Sequence, residues 1–227
     1  MGDKQAVLSI GDARYSLDLV EGTDGNRGVD INTLRAETGL VALDHGFANT
    51  ASCESAVSYV DGNVGRLTYR GYGIEQLAER SSFIEVAYLL FHGELPNRRE
   101  LDAFRTRLTR HTILDESLKR LFEAFPRDAH PMAVLSSAVS AMSTYYPELT
   151  DPQDPEAVEE AAIRLLAKLP TVAAFSYKKS IGQPYMYPKN ALTYCARFLH
   201  MMFARPNEEY HVDPLVADAL DLSLIHI

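Results

Sequence analysis

Arg164 and Lys168 are the residues whose types and spacing most directly suggest chemistry in this chain. Four positions apart, they fall on one helical face and bring two cations together, a mildly unfavourable arrangement that a bound phosphate relieves. Glu160 stands four residues before Arg164, so the spacing equally describes an exposed Glu-Arg ion pair with Lys168 solvated near a helix end. Spacing alone favours the ion pair.

Other reactive residue types form no chemical set. His92, His111, His130 and His200 share no metal-ligand spacing, so no metal site is expected and core or surface positions explain them, His111 being taken up below. Cys53 and Cys195 lie far apart without a Cys-x-x-Cys arrangement, which argues against zinc and disulfides and for buried free thiols. Gly71 and Gly73 lack the glycine pattern, lysine and strand-to-helix context of a phosphate loop. Tyr185, Tyr187 and Tyr194, near Pro184 and Pro188, read as a packed turn leading into a helix. No Ser-His-Asp or Cys-His constellation is present, so no residue of this chain is assigned a catalytic role.

The elements that must carry these residues are mainly helical. Two hairpins open the chain, pairing residues 6–10 with 13–19 around Gly11-Asp12, and 57–60 with 66–69 around Asp61-Gly62-Asn63, with a loop over 21–28 between them. From Ile74 onward the punctuation is that of helices. Ser82 with Glu85 and Asn97 with Glu100 form capping boxes, and Asp154-Pro155 and Asp213-Pro214 place an N-cap before a first-turn proline. Leu114, Leu118, Leu121, Phe122 and Phe125 form an apolar stripe, residues 132–145 suit a tightly packed interior helix, and Asn190 is a cap candidate for a helix through Phe203. The chain has 227 residues, 46% of them hydrophobic and 23% charged, with net charge −9. This is the balance of a globular protein, and the charge disfavours general attraction to nucleic acid or anionic membranes. Neither a secretory signal nor a myristoylation pattern opens the sequence, since Ala6 spoils the latter, and a cytoplasmic location is expected.

The runs Thr50-Ala-Ser-Cys-Glu-Ser55, Tyr69-Arg-Gly-Tyr72 and Ser180-Ile-Gly-Gln-Pro184 resemble citrate synthase, specifically the NADH-regulated type of Gram-negative bacteria. Arg110-His-Thr112, Asp128-Ala-His-Pro-Met-Ala133 and Tyr187-Pro-Lys-Asn190 look like the same family, and the likeness covers about residues 41–222. His45 departs from it, standing where relatives commonly carry proline. The resemblance implies a mainly α fold with a small hairpin-containing amino-terminal segment over residues 1–70 and part of the helical large domain over 71–221.

The family condenses acetyl-CoA with oxaloacetate and hydrolyses citryl-CoA to citrate and CoA, the first step of the tricarboxylic acid cycle, without a catalytic cofactor. Proton removal from the weakly acidic acetyl methyl group requires a carboxylate base and a neutral imidazole donating to the enolate oxygen, with arginines on the oxaloacetate carboxylates. In the family these groups lie in later motifs resembling His-Ala-Asp-His-Glu and Gly-Pro-x-His-Gly-Gly-Ala-Asn, which this chain lacks. His226 falls one residue too early to be the first of those histidines, and the chain by itself is expected to be inactive. Residues 222–227, Leu-Ser-Leu-Ile-His-Ile, also match an in-frame translation of a transposon-derived sequencing adaptor and are expected to be non-native.

The resemblance further implies an allosteric NADH site at Arg110, His111, Thr112, Tyr146, Arg164, Lys168 and Asn190, and a homo-oligomeric full-length enzyme. Two alternatives stand beside this reading. The parent can be a methylcitrate synthase using propionyl-CoA, since one methylene gives little discrimination. The chain can also be a non-catalytic partner that binds NADH or assembles with full-length subunits.

Overall fold

A computed structural model describes residues 5–23 and 25–226. Residues 1–4, 24 and 227 lie outside it, and with them the start of the amino-terminal targeting and myristoylation readings and the last residue of the 222–227 tail. The chain forms two units, Met1–Ser55 and Ala56–Ile227.

In the first unit, β1 (Gln5–Ile10), β2 (Ala13–Glu21) and β3 (Arg27–Val29) form an antiparallel sheet in that order. Alternation sets its register. Ala6 pairs with Leu17 and Leu8 with Tyr15, which puts the more buried residues of both strands on one face around Leu17, 6% exposed. Gly11 takes φ 59 in the connecting turn. The loop expected over 21–28 is shorter, because Glu21 and Gly28 join the ladder between β2 and β3. Three exposed residues with a central glycine carry no alternation signal, so this strand is not legible locally. After α1 (Leu34–Thr38), closed by Gly39 at φ 73, the Asp44 carboxylate accepts from Asn49 N at 2.8 Å and Thr50 Oγ1 at 2.7 Å. Those bonds, the Thr50 hydroxyl foremost, hold the Asp44 carboxyl below its usual range. Cys53 is exposed, which corrects the reading of both cysteines as buried; Cys195 is buried as expected.

The second unit starts with β4 (Ser58–Asp61), β5 (Arg66–Tyr69) and β6 (Tyr72–Gly73), again antiparallel. Arg70 and Gly71 turn the chain between β5 and β6 with φ 49 and 88, the positive values that a tight hairpin turn demands. Arg70 also donates from Nη2 to Leu90 O at 2.8 Å, tying the turn to the helices. Those are α2 (Ile74–Arg80), α3 (Phe83–His92), α4 (Arg98–Arg110), α5 (Lys119–Ala124), α6 (Pro131–Met142), α7 (Pro155–Ser180), α8 (Tyr194–Phe203) and α9 (Pro214–His226).

Their starts follow the expected chemistry. Glu85 Oε2 accepts from Ser82 N at 2.8 Å, Glu100 Oε2 from Asn97 N at 2.8 Å, and Asn97 Oδ1 from Glu100 N at 3.1 Å. Asp154 and Asp213 cap α7 and α9 by accepting from Glu156 N at 3.0 Å and Leu215 N at 2.9 Å. Asn190 does not cap α8. The N-cap is Thr193, and Asn190 sits in the preceding turn with its side chain directed to Thr112. Helix α6 is also less enclosed than its composition suggests: Val134, Ala138 and Met142 form one buried face, while Met132 is 60% exposed.

Helix α7 organises the unit. Ile163 and Ala167 pack with Ile84, Leu101, Phe104 and Leu108 of α3 and α4. Val172 and Phe175 pack with Leu114, Leu118, Phe122, Val134 and Met142. Pro170 lies inside this helix. It has no N–H for the Leu166 carbonyl one turn back, and the Tyr194 hydroxyl of α8 donates to that carbonyl instead, at 2.8 Å. Buried Lys178 bonds to Ala204 O at 2.7 Å and Gln183 Oε1 at 2.9 Å, fastening α7 to the end of α8. Asp221 joins α9 to α3 by accepting from Phe83 N at 2.8 Å, and Ile225 packs with Leu77, Val86 and Leu89. No helix among the described residues is long and apolar enough to cross a membrane.

Candidate functional site

The end of α4, the segment after α6 and the first half of α7 converge on one cluster. Its anchor is Glu160. Oε1 lies 2.8 Å from Arg164 Nε and 3.3 Å from His111 Nε2, while Oε2 lies 3.1 Å from Arg107 Nη2. Arg107 is shared with Glu159 at 2.5 Å. Charge pairing and hydrogen bonds from Arg164 and Arg107 outweigh the opposing effect of burial and hold the Glu160 carboxyl below its ordinary range. Burial pushes His111 down and outweighs the opposing pull of Glu160.

Arg164 and Lys168 both lie over the Tyr146 ring, at 4.6 and 5.5 Å from its centre. The local pairing expected from spacing is therefore present for Arg164. Lys168 is different. It is 4% exposed and donates from Nζ to the Ile113 carbonyl, in the interior of a helix that continues to Ser180, so the solvated helix end is corrected. Burial first, and Arg164 next, bring its amine down to about 8, against a weaker opposing pull from Asp115.

Tyr146, Arg164 and Lys168 edge a cavity of about 220 Å³ whose remaining wall is largely apolar, including Val139, Met142 and Leu165. Thr112 is buried and does not line the cavity. Its Oγ1 lies 3.5 Å from Asn190 Oδ1, and its carbonyl accepts from Thr171 Oγ1 at 2.8 Å. Arg110, the last residue of α4, is exposed. Thus the structure brings Tyr146, Arg164 and Lys168 to the cavity, links His111 through Glu160, joins Thr112 to Asn190, and leaves Arg110 on the surface.

Sequence reasoning missed Arg107, Glu159 and Arg197. Arg197 is 7% exposed and donates to Lys189 O at 3.3 Å and Leu192 O at 3.1 Å, ordering the turn that holds Asn190. It also donates to Thr109 Oγ1 at 3.5 Å, 88 positions away, a contact that no local pattern reports. Arg107 meets residues more than fifty positions away, which no local pattern reports.

The remaining candidates are structural. Tyr185 stacks on Phe175 with ring centres 4.5 Å apart, and Tyr187 donates to Glu116 Oε1 at 2.7 Å, as a packed turn requires. His130 caps α6 by accepting from Met132 N at 3.2 Å, and His226 Nδ1 lies 3.0 Å from Leu222 O. No group of three or more metal-ligating side chains occurs among the described residues.

The family model for the citrate synthase C-terminal domain matches residues 46–227. Citrate synthase 1 of Mycobacterium tuberculosis (strain CDC 1551 / Oshkosh) is 52% identical over 223 residues, covering 98% of this chain and 52% of the relative. Citrate synthase of Corynebacterium glutamicum is 45% identical over 223 residues, covering 98% and 51%. Among solved structures, Pyrobaculum aerophilum citrate synthase superposes with TM-score 0.70 at 30% identity, over 92% of this chain and 48% of that one. The Thermoplasma acidophilum enzyme gives 0.73 at 22% identity, over 81% and 47%, a likeness of fold alone. The chain spans about half the length of the curated relatives it matches. With the family model matched over most of its length and the helical fold in agreement, this chain belongs to the citrate synthase family.

Proposed function

We propose that this chain is the amino-terminal part of a cytoplasmic, homo-oligomeric citrate synthase that condenses acetyl-CoA with oxaloacetate and releases citrate and CoA. The observation that carries this reading is the 52% identity sustained over 223 residues to a citrate synthase. The chain's contribution is a packed helical framework centred on α7. The base, the enolate-stabilising imidazole and the carboxylate-binding arginines belong to later motifs, so residues 1–227 alone provide no transition-state stabilisation. Residues 222–227 are read as adaptor-derived. The purified chain is expected to release no thiol from acetyl-CoA and oxaloacetate, and genomic sequence past the Asp221 codon to continue into Leu-His-Ala-Asp-His. Thiol release that tracks the protein through purification, or a stop codon directly after Ile227, would oppose the reading.

The NADH-regulated subtype is the finer part of the proposal. It is supported by Tyr146, Arg164 and Lys168 edging one cavity, with His111 tied to Arg164 through Glu160, Thr112 bonded to Asn190, and Arg110 exposed at the end of α4. NADH fluorescence titration tests it. Binding that Arg164→Ala weakens is expected, and binding indifferent to that change would remove the assignment.

A further inference from the structure

The half-open cavity beside Tyr146 has a chemistry of its own. At about 220 Å³ it falls below the roughly 300–1,000 Å³ of pockets that hold drug-sized ligands. Val139, Met142, Leu149, Ala161 and Leu165 give it an apolar wall, which suits a hydrocarbon group and no inorganic ion. Its polar edge is unevenly compensated. Arg164 is held by Glu160 at 2.8 Å, whereas Lys168 forms no ion pair among the described residues: its Nζ donates to the neutral Ile113 carbonyl, lies 5.5 Å from the centre of the Tyr146 ring and feels Asp115 only as a more distant charge.

A buried cation that forms no ion pair, at the rim of an apolar space, suits a negative charge carried on an apolar body. We infer that this cavity binds a small apolar monocarboxylate, with its carboxylate on Lys168 Nζ and its tail against Met142, Leu149 and Leu165. The inference goes beyond the NADH reading and does not require it; because both draw on Tyr146, Arg164 and Lys168 at this cavity, octanoate and NADH are expected to compete.

The pH dependence follows from the groups facing Lys168. The charged neighbours are Arg164 from α7 and Asp115 from the segment before α5, whose carboxyl its bonds to Ser117 hold below the ordinary range, and burial lowers His111 at the end of α4. Lys168, at about 8, is the group that loses charge between pH 7 and 9. A carboxylate that binds only the ammonium form therefore loses about tenfold in affinity from pH 7 to pH 9.

Isothermal titration of the full chain with octanoate tests this, with octan-1-ol as the neutral probe of equal tail length. One site is expected for octanoate, weaker by about tenfold at pH 9 and at least tenfold weaker for octan-1-ol. Lys168→Met should weaken octanoate by at least tenfold and abolish the pH dependence. Its thermal midpoint should not fall, since an apolar replacement of similar volume removes a buried charge. Ala161→Phe, which fills the cavity and keeps the cation, should abolish binding. Should Lys168→Met fail to fold, Ala161→Phe and the pH comparison decide. Octanoate binding that neither substitution changes, no binding by a chain that melts cooperatively, or equal binding of octan-1-ol would overturn the inference. NADH fluorescence on the same samples separates the two readings, because failure of either ligand leaves the other's result intact.

Discussion

Removing the Tyr194 hydroxyl should expose the weak point that Pro170 creates in α7. The hydroxyl donates to Leu166 O at 2.8 Å, the carbonyl that Pro170 leaves without its helical N–H. Tyr194→Phe keeps the ring, which packs against Phe83 with centres 5.2 Å apart, and deletes only that donor. An unpaired buried acceptor costs about 1–3 kcal/mol, and partial solvent access here points to the lower part, about 1–2 kcal/mol. Restoring a backbone donor with Pro170→Ala should relieve the loss, so that Tyr194→Phe costs under about 0.5 kcal/mol in that background, a coupling near 1 kcal/mol. Urea unfolding followed by far-ultraviolet circular dichroism reads this directly. With a slope of roughly 2 kcal/mol/M, the midpoint should fall by about 0.5–1 M in the wild-type background. Equal costs in both backgrounds would refute the assignment of the hydroxyl to the proline's missing donor.

Three further outcomes are expected. In a double-mutant cycle, Glu160→Gln should couple to Arg164→Met by about 1 kcal/mol and less to Arg107→Met, because Glu159 still holds Arg107 at 2.5 Å; coupling larger at Arg107 would contradict the geometry. Phe122→Ala, at a fully buried position with its ring 6.0 Å from Phe175, should cost about 3–5 kcal/mol in urea unfolding, while Phe47→Ala, 73% exposed, should fall within about 0.5 kcal/mol of wild type. Burial, ahead of neighbouring charges, lowers His111 and His200 from 6.5, so the unfolded chain binds more protons. Their contribution to stability is present above about pH 6.5 and lost as pH falls through the folded values; thermal midpoints that stay level from pH 7.5 to 5 while His111→Gln shifts none of them would contradict it.

Features governed by neighbours in sequence were legible before the structure. The first hairpin, both capping boxes and the Asp-Pro starts of α7 and α9 depend on alternation or on contacts within three residues, and they occur as expected. Tertiary context governs the departures. Asn190 has the residue type of a cap but is drawn to Thr112, 78 positions away, and Thr193 takes the cap. Lys168 carries the composition of a solvated position, yet α7 continues through Pro170 because Tyr194 compensates the lost donor, and the lysine is enclosed. Within the candidate site, only the Glu160–Arg164 pair followed from spacing. Grouping Tyr146, His111, Thr112 and Asn190 with Arg164 and Lys168 came from family resemblance, since those contacts join α4, α7 and two loops. Arg107 and Arg197 escaped both routes, because an arginine on a polar helix face has the same local signature whether exposed or engaged.

The most direct test of the proposed function is a chimera joining residues 1–221 of this chain to the remainder of Mycobacterium tuberculosis citrate synthase 1, the relative 52% identical over 223 residues. Thiol release from acetyl-CoA and oxaloacetate would be measured beside the unjoined chain, with circular dichroism melting as a folding control. The account predicts release that needs both substrates and is absent from the unjoined chain. A chimera that melts cooperatively but releases no thiol above background would contradict it.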